Sequence, residues 1–95
     1  MPTLHIEHAI SDFEVWQQAF NRFDSARQRA GVRSHRVRRP VDDEHYVVID
    51  LDFTTVQEAE RFRDFLQKKV WFSATDSPAL VGLPETQILQ LALSS

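Results

Sequence analysis

Ionisable side chains that could take part in acid-base chemistry recur in stretches that alternate like β-strands. His5 and Glu7 lie two residues apart, and Asp50 lies in a run of alternating apolar residues. Residues two apart on a strand share one face, so an imidazole and a carboxylate would lie on a common surface. Such groups can transfer a proton, and Arg36 could stabilise developing negative charge. If the chain is an enzyme, we predict catalytic roles for His5, Asp50 and Arg36.

The same surface would carry further polar side chains able to orient an acidic or carbonyl ligand. The candidate ligand-binding residues there are Glu7, Arg38, Tyr46 and Gln90. An alternative interpretation is a charge-compensated dimer interior, because structural ion-pair networks bring the same residue types together. Both interpretations stay open, and so does the question of whether the chain is an enzyme.

We expect this polar face of the sheet to carry any ligand function, and the next candidate site is aromatic. Four aromatic residues recur at three- and four-residue intervals: Phe13, Trp16, Phe20 and Phe23. This spacing is typical of a helix stripe that faces a core. A pocket bounded by Trp16, Phe62 and Phe65 would nevertheless suit an apolar aromatic compound. We therefore include Trp16 and Phe62 among the ligand-binding candidates.

Three histidines and one acid offer the ligand types of a two-histidine, one-carboxylate metal site: His5, His8, His35 and Glu7. On a regular strand, however, His5 and His8 point to opposite faces, and no histidine pair has the helical His-x-x-x-His spacing. The chain has no cysteine, which excludes thiolate ligands and disulfides. We predict neither a metal nor a cofactor.

Residue periodicity predicts the elements that position these groups. Alternation predicts four strands: Thr3 to Ala9, Val32 to Arg39, His45 to Phe53 and Glu85 to Leu93. Helical spacing predicts two helices: about Asp12 to Ala30 and about Thr55 to Lys69. The stretch from Trp71 to Leu83 stays unassigned, because Ser, Gly and Pro residues interrupt it.

Local signals predict where the helices begin and end. Ser11 with Glu14, and Thr55 with Glu58, have the spacing of a capping box at a helix start. Gly31 falls where a left-handed cap would end the first helix.

The hairpin between the second and third strands has two plausible registers. Pairing Val37 with Val47 keeps both residues on the apolar face, and we predict this register. A slip by one residue would instead pair His35 with Asp50.

The order βαββαβ with right-handed crossovers predicts a ferredoxin-like α+β fold. Its four-stranded antiparallel sheet would have two helices on one face, with the strand that begins at His45 in a central position. The other face would be uncovered and would expose Val48 and Ile88. An exposed apolar and charged sheet face predicts a homodimer.

Composition bounds the class of protein. Ninety-five residues with 42% hydrophobic content fit a single domain, residues 1–95. Basic residues are concentrated between Arg22 and Arg39, but no Phe, Tyr or Trp lies between Phe23 and Tyr46 to stack on bases. We therefore expect no nucleic-acid partner. No stretch reaches transmembrane length, so we expect a soluble cytoplasmic protein with no membrane partner.

The segment from His8 to Trp16, HAISDFEVW, resembles the frequent His-x-Val-x-Asp-aromatic-x-x-Trp opening of the dimeric α+β barrel proteins. These include antibiotic-biosynthesis-monooxygenase-like domains. Arg27 to Val32, the strand that leads into Phe53 and the helix from Ala59 to Phe62 extend the resemblance over most of the chain. The resemblance implies a homodimer whose two sheets pack through their open faces into a barrel. It also implies a pocket, either between sheet and helices or within the barrel.

The resemblance implies a small organic ligand, acidic or aromatic, and allows a cofactor-free monooxygenase-like or a cyclase- or isomerase-like activity. Haem degradation is not expected. The haem-degrading members have an Asn on the first strand, a Trp on the third and a His on the second helix. This chain has its Asn, Asn21, on the predicted first helix, and the other two residue types are missing from those places. The alternative function is a non-catalytic dimerisation or regulatory module.

Overall fold

The computed structural model describes residues 1–93. In chain order, its elements are β1 (Thr3–Ile10), α1 (Phe13–Arg22), α2 (Asp24–Ala30), β2 (Ser34–Arg38), β3 (Tyr46–Asp52), α3 (Val56–Phe65), a π-helical turn (Leu66–Val70) and β4 (Leu80–Leu89). The strands form one antiparallel sheet in the order β2-β3-β1-β4, so β3 is central, as predicted.

The side chains of strand β1 alternate between the two faces of the sheet. Its even-numbered residues are buried beneath the helices, whereas its odd-numbered residues face the other way. The buried face joins the aromatic residues of α1 and α3 in one core, whose largest fully buried side chains are Leu4, Ile10, Val47, Leu51 and Phe53. Because the helices occupy this side, the opposite side is uncovered within residues 1–93. We call it the open face.

The open face differs from the prediction in its apolar members. Val48 lies on it, as predicted, and pairs with Glu7. The placement of Ile88 was wrong, because Ile88 pairs with Leu4 and packs against the core. Leu89 lies on the open face instead, opposite Thr3, and it is 43% exposed.

The predicted hairpin register was wrong by two residues. Val37 pairs with Ile49, and Arg36 pairs with Asp50. The shift arises because residues 39–45 form a longer connection, held by bonds from the Asp43 N–H to the Pro40 carbonyl and from the His45 N–H to the Asp43 carboxylate. A shift of two residues preserves the faces, so Val37 remains on the helix side.

The predicted first helix is two helices, broken at Phe23, whose φ and ψ of −95° and 12° are not helical. At the break, the Phe20 carbonyl accepts a hydrogen bond from Arg27 Nη1 at 2.6 Å. The same carbonyl accepts the Phe23 N–H at 3.2 Å, so the guanidinium is a second donor to a carbonyl at the end of α1. Gly31 ends α2 in the left-handed conformation at φ 98°, which confirms the predicted cap.

Only one of the two predicted capping boxes forms. At α3, the Glu58 N–H donates to Thr55 Oγ1 at 3.2 Å and the Thr55 N–H donates to Glu58 Oε1 at 3.1 Å. At α1, the prediction that Ser11 is the cap was wrong. Asp12 caps the helix instead and accepts from the Val15 N–H at 3.0 Å, so the helix begins one residue later and Glu14 no longer has the required spacing.

Strand β4 begins at Leu80 and ends at Leu89, so both predicted ends, Glu85 and Leu93, were wrong. Glycine and proline in this stretch resemble strand breakers. Gly82 instead takes a φ of 73° where the pairing of β4 with β1 shifts, which is the geometry of a bulge. Pro84 is tolerated because β4 is an edge strand.

Candidate functional site

His5 lies at the centre of a charged cluster on the open face. Its Nδ1 lies 2.7 Å from Asp50 Oδ1, and its Nε2 lies 2.8 Å from Glu7 Oε2. The register brings these groups together, because β1 places His5 opposite Asp50 and Glu7 follows two residues later on the same face. The grouping of the three residues predicted from the sequence is therefore present.

Two further predicted residues extend the cluster. The Tyr46 hydroxyl donates to Glu7 Oε1 at 2.7 Å, and Arg38 Nη2 donates to Asp50 Oδ2 at 2.7 Å. Asp50 is only 5% exposed, and both of its carboxylate oxygens have a partner. A buried carboxylate with two charged or polar partners is stable where an unpaired one would not be.

Arg36 lies beside this cluster rather than in it. Its guanidinium donates to Asp52 through Nη1 at 2.9 Å and Nη2 at 3.4 Å, although its backbone pairs with Asp50. The same carboxylate accepts from the Ser34 and Thr3 hydroxyls, each at 2.6 Å. The Arg36 hydrogen bond is the largest cause that holds the pKa of Asp52 well below its usual range. The structure thus pairs Arg36 with Asp52 and does not bring it to Asp50 or His5.

The structure does not bring Gln90 into the cluster. It lies one residue beyond the end of β4 and is exposed. The β4 residue opposite His5 is Gln87, and Glu85 lies opposite Glu7. Odd-numbered residues of β4 belong to the open face at this point, so the correct register would have selected Gln87.

Hydrogen bonding within the cluster changes its acid-base properties. The hydrogen bond to Glu7 is the largest cause that raises the pKa of His5, and Asp50 raises it further against the effect of partial burial. The same contact lowers the pKa of Glu7, and the Glu7 carboxylate raises the pKa of Tyr46 to about 12. His5 is thus stabilised as an imidazolium with both nitrogens engaged. In this state it is not a free general base.

A second site lies on the other side of the sheet, as a cavity of about 80 Å³ between β1, β3 and the helices. Predominantly apolar side chains line it, and both tryptophans of the chain are among them. The lining includes Trp16, Phe20, Phe62, Trp71, His8 and Arg27. Residues 76–78 also line it, and their partial or full exposure marks the mouth of the cavity.

Trp16 and Phe62, both predicted as ligand-binding candidates, line this cavity from α1 and α3. Trp16 is 9% exposed and stacks on Phe20 with ring centroids 4.9 Å apart. Phe65 stacks on Phe62 at 5.7 Å but does not line the cavity. The aromatic stripe therefore serves the core and one wall of the cavity at the same time.

His8 supplies a neutral imidazole to the cavity. It is 5% exposed, and its Nδ1 lies 2.9 Å from the Ala9 carbonyl oxygen. A carbonyl oxygen can only accept, so Nδ1 carries the proton and Nε2 of the neutral ring is an acceptor. Burial is the largest cause that lowers the pKa of His8, which favours this neutral form.

Arg27 is the other buried polar residue of the cavity wall, and sequence reasoning missed it. Its side chain is 6% exposed, and its guanidinium carbon lies 3.7 Å from the centre of the Phe20 ring. Nη2 lies 3.6 Å from an Asp24 carboxylate that is itself 59% exposed, and Nε has no hydrogen-bond partner among residues 1–93. The available signal was position, because Arg27 follows Phe23 by four residues and so continues the buried stripe.

The described part of the chain contains no group of three or more His, Cys, Asp or Glu side chains arranged to hold a metal ion. In the His5 cluster the two ring nitrogens face two different carboxylates, so the donor atoms do not converge on one point. Among residues 1–93, no helix has the length and apolar character needed to span a membrane.

Comparison with known proteins identifies the fold. No protein-family profile matches the chain, and no curated protein matches it significantly. A dimeric ferredoxin-like protein from an uncultured marine organism is similar in structure, with a TM-score of 0.60 and 10% identity over 100% of this chain and 98% of that one. A putative PII-like signalling protein of Thermus thermophilus is similar with a TM-score of 0.54 and 15% identity, over 93% and 84% of the two chains. Together with the sheet order, these similarities confirm the predicted ferredoxin-like α+β fold.

Proposed function

We propose that the chain is a homodimeric small-molecule-binding protein, with its ligand site in the cavity between sheet and helices and its dimer interface on the open face. The observation that carries this proposal is a contrast between two polar sites. On the open face, His5 and Asp50 have their polar atoms paired with one another and with neighbouring side chains. In the cavity wall, Arg27 retains one donor, Nε, without a hydrogen-bond partner among the described residues.

The cavity has the lining of a ligand site, although its volume of about 80 Å³ is smaller than the roughly 300 Å³ or more that is usual for such sites. Such sites are mostly apolar and aromatic, with a few polar groups that orient the ligand. Here the apolar wall includes Trp16 and Phe62, and the polar groups are His8 and Arg27. An apolar aromatic wall with one cation and one neutral imidazole supports the acidic or aromatic ligand expected from the sequence.

The open face supports the dimer. Val48 and Leu89 bring apolar surface to it, whereas four of its charged side chains compensate one another: His5, Glu7, Asp50 and Arg38. Burying charges is tolerable when each has a partner, so a second copy could cover the paired cluster, whereas Glu85, opposite Glu7, would need a cation from that copy. The structurally similar ferredoxin-like protein is dimeric, which is consistent with this interpretation.

A second candidate function is a non-catalytic dimerisation or regulatory module. The extensive pairing of the open-face cluster favours it, because a paired network offers a ligand few free groups. The similarity to a PII-like signalling protein is compatible with a regulatory role. Under this alternative the cavity would be a packing feature only.

A thermal-shift screen tests the proposal. The panel contains aromatic acids, their neutral amides, polyketide-like compounds, flavin and haem, because a ligand that binds the folded state raises the melting temperature. Compounds that stabilise the protein are then repeated on Ala19→Leu, which fills the cavity, and on Arg36→Ala, which alters the open face. We expect the stabilisation to be lost in Ala19→Leu and kept in Arg36→Ala. The reverse pattern would place the ligand on the open face, where His5, Asp50 and Arg36 would be its candidate catalytic groups.

A further inference from the structure

The buried guanidinium of Arg27 has too few partners for its charge. Its Nη1 donates to the Phe20 carbonyl at 2.6 Å, while the ring of Phe20 lies beneath the guanidinium carbon at 3.7 Å. Its only ion pair among the described residues is the 3.6 Å approach of Nη2 to the exposed carboxylate of Asp24. A long pair with an exposed carboxylate contributes little.

An incompletely paired cation is costly in a buried position. Burial is the largest cause that lowers the pKa of Arg27, and Asp24 opposes that effect only in part. Buried polar groups are nearly always hydrogen-bonded, so a buried donor without a partner calls for a specific explanation. A ligand anion that occupies the cavity would supply the missing charge and acceptor atoms.

His8, the second polar group of the cavity wall, needs a hydrogen-bond donor, whereas Arg27 needs an acceptor. His8 presents a bare Nε2, because its proton is held on Nδ1 by the Ala9 carbonyl oxygen. A bare ring nitrogen accepts a hydrogen bond, for example from a hydroxyl group. The two groups therefore differ in what they would recognise: an anion at Arg27 and a hydrogen-bond donor at His8.

An aromatic row connects the two groups. The His8 and Trp16 rings lie 6.5 Å apart, the Trp16 and Phe20 rings 4.9 Å apart, and Arg27 lies over Phe20. His8 and Arg27 thus stand at the two ends of this row, with apolar surface between them. A ligand that meets both would be elongated, with an apolar body between its two polar ends.

We propose that the cavity binds a small hydroxylated aromatic carboxylate, with its carboxylate on Arg27 and its hydroxyl group donating to His8 Nε2. This inference deepens the proposed function, because it assigns a ligand class to the same cavity. The cavity volume of about 80 Å³ is about half that of an engineered cavity that admits benzene, so part of the ring occupies the mouth at residues 76–78. An arginine fork matches a planar carboxylate through two parallel hydrogen bonds.

Asp76, an acid at the mouth of the cavity, could instead favour a cationic ligand. Asp76 lines the cavity and is half-buried, and it forms no ion pair with Arg27 among residues 1–93. A cationic ligand held by Asp76 would leave Arg27 unpaired, which is why we favour the anion. Preferred binding of a cationic probe, benzylamine, would support this alternative.

Isothermal titration calorimetry with four monocyclic probes tests the inference on the parent protein. The probes are 4-hydroxybenzoate, benzoate, 4-hydroxybenzamide and benzylamine. We expect 4-hydroxybenzoate to bind most tightly, 4-hydroxybenzamide about 10- to 100-fold more weakly, and benzoate about 3- to 10-fold more weakly, because hydrogen bonds to charged groups are the stronger ones. Equal binding of the amide and the acid, or preferred binding of benzylamine, would overturn the assignment to Arg27.

Two variants and a control localise the effect. Arg27→Gln should remove the preference for the acid over the amide, and Arg27→Lys, which keeps the charge but loses the planar fork, should keep part of it. Arg29→Gln is the matched control, because Arg29 is an exposed arginine on the same helix. If both Arg27→Gln and Arg27→Lys bind 4-hydroxybenzoate as tightly as the parent does, the carboxylate of the ligand lies elsewhere. If no probe binds and the wider panel is also inactive, the proposed function itself fails.

Discussion

The imidazole Nδ1 of His5 lies 2.7 Å from Oδ1 of Asp50, across the two central strands of the sheet. With Nε2 held by Glu7 at 2.8 Å, neither ring nitrogen is free. His5, Asp50 and Glu7, which the sequence predicts as catalytic or ligand-binding residues, therefore form an internal network. We infer that the network stabilises the folded protein and makes the free energy of unfolding depend on pH.

The first prediction concerns that pH dependence. The folded-state pKa of His5 is raised above 6.5, so the imidazolium contributes stability that is fully present below about pH 6.5 and is lost as the pH rises through the folded-state pKa. The parent should be more stable than His5→Gln near pH 6, and this margin should shrink towards pH 9. Urea denaturation across this range measures it. The matched substitution His45→Gln, in an exposed turn, is the control. A margin that grows with pH would contradict the sign of the effect.

The second prediction concerns the start of α1. Asp12 caps the helix through its carboxylate, whereas Ser11 makes no cap bond to it. Asp12→Ala should therefore lower the free energy of unfolding by about 1 kcal/mol, and Ser11→Ala should change it by much less. Chemical denaturation of the two variants compares them directly. The opposite ranking would restore the capping box expected from the sequence.

The third prediction concerns Trp16. Because Trp16 is 9% exposed and stacks on Phe20, Trp16→Ala should lower the free energy of unfolding by about 3 to 5 kcal/mol. Trp71 also lines the cavity but is less buried, so Trp71→Ala should cost less. An unchanged melting temperature for Trp16→Ala would show that Trp16 serves the ligand site without supporting the core.

Much of the fold follows from the sequence, because alternation and helical spacing depend on local residue order. The grouping of His5, Glu7 and Asp50 follows in the same way, since residues two apart share a face and the predicted βαββαβ order places the first strand beside the third. The partner of Arg36 does not follow. A shift of two residues leaves every face unchanged, so periodicity alone cannot choose between Asp50 and Asp52 for a long side chain.

Arg27 and strand β4 show two other limits. A charged residue on an apolar helix stripe looks like an interruption, and only the three-dimensional structure shows the Phe20 carbonyl and ring that hold it. Gly82 and Pro84 look like breakers, yet one forms a bulge and the other lies on an edge strand. In each case, tertiary contacts override the local preference of the residue.

The fourth prediction concerns the dimer. A chain of 11.1 kDa that pairs through its open face should sediment at about twice that mass at low micromolar concentration. Val48→Asp should weaken the dimer, because it replaces apolar surface between Glu7 and Arg38 with a carboxylate that the interface would have to bury. Val41→Asp, in the exposed connection between β2 and β3, should leave it intact. A folded parent monomer under these conditions would remove the open face as the interface.

The most direct test of the central claim is a two-dimensional NMR titration of the isotope-labelled parent protein with a compound that stabilises it in the thermal-shift screen. The chain has two tryptophans, Trp16 and Trp71, and both line the cavity, so both indole N–H signals report on it. Tyr46 and Val48 report on the open face. A ligand in the cavity should shift both indole signals in a saturable way and leave Tyr46 and Val48 unshifted. Saturable shifts confined to Tyr46 and Val48, with both indole signals unchanged, would contradict the account.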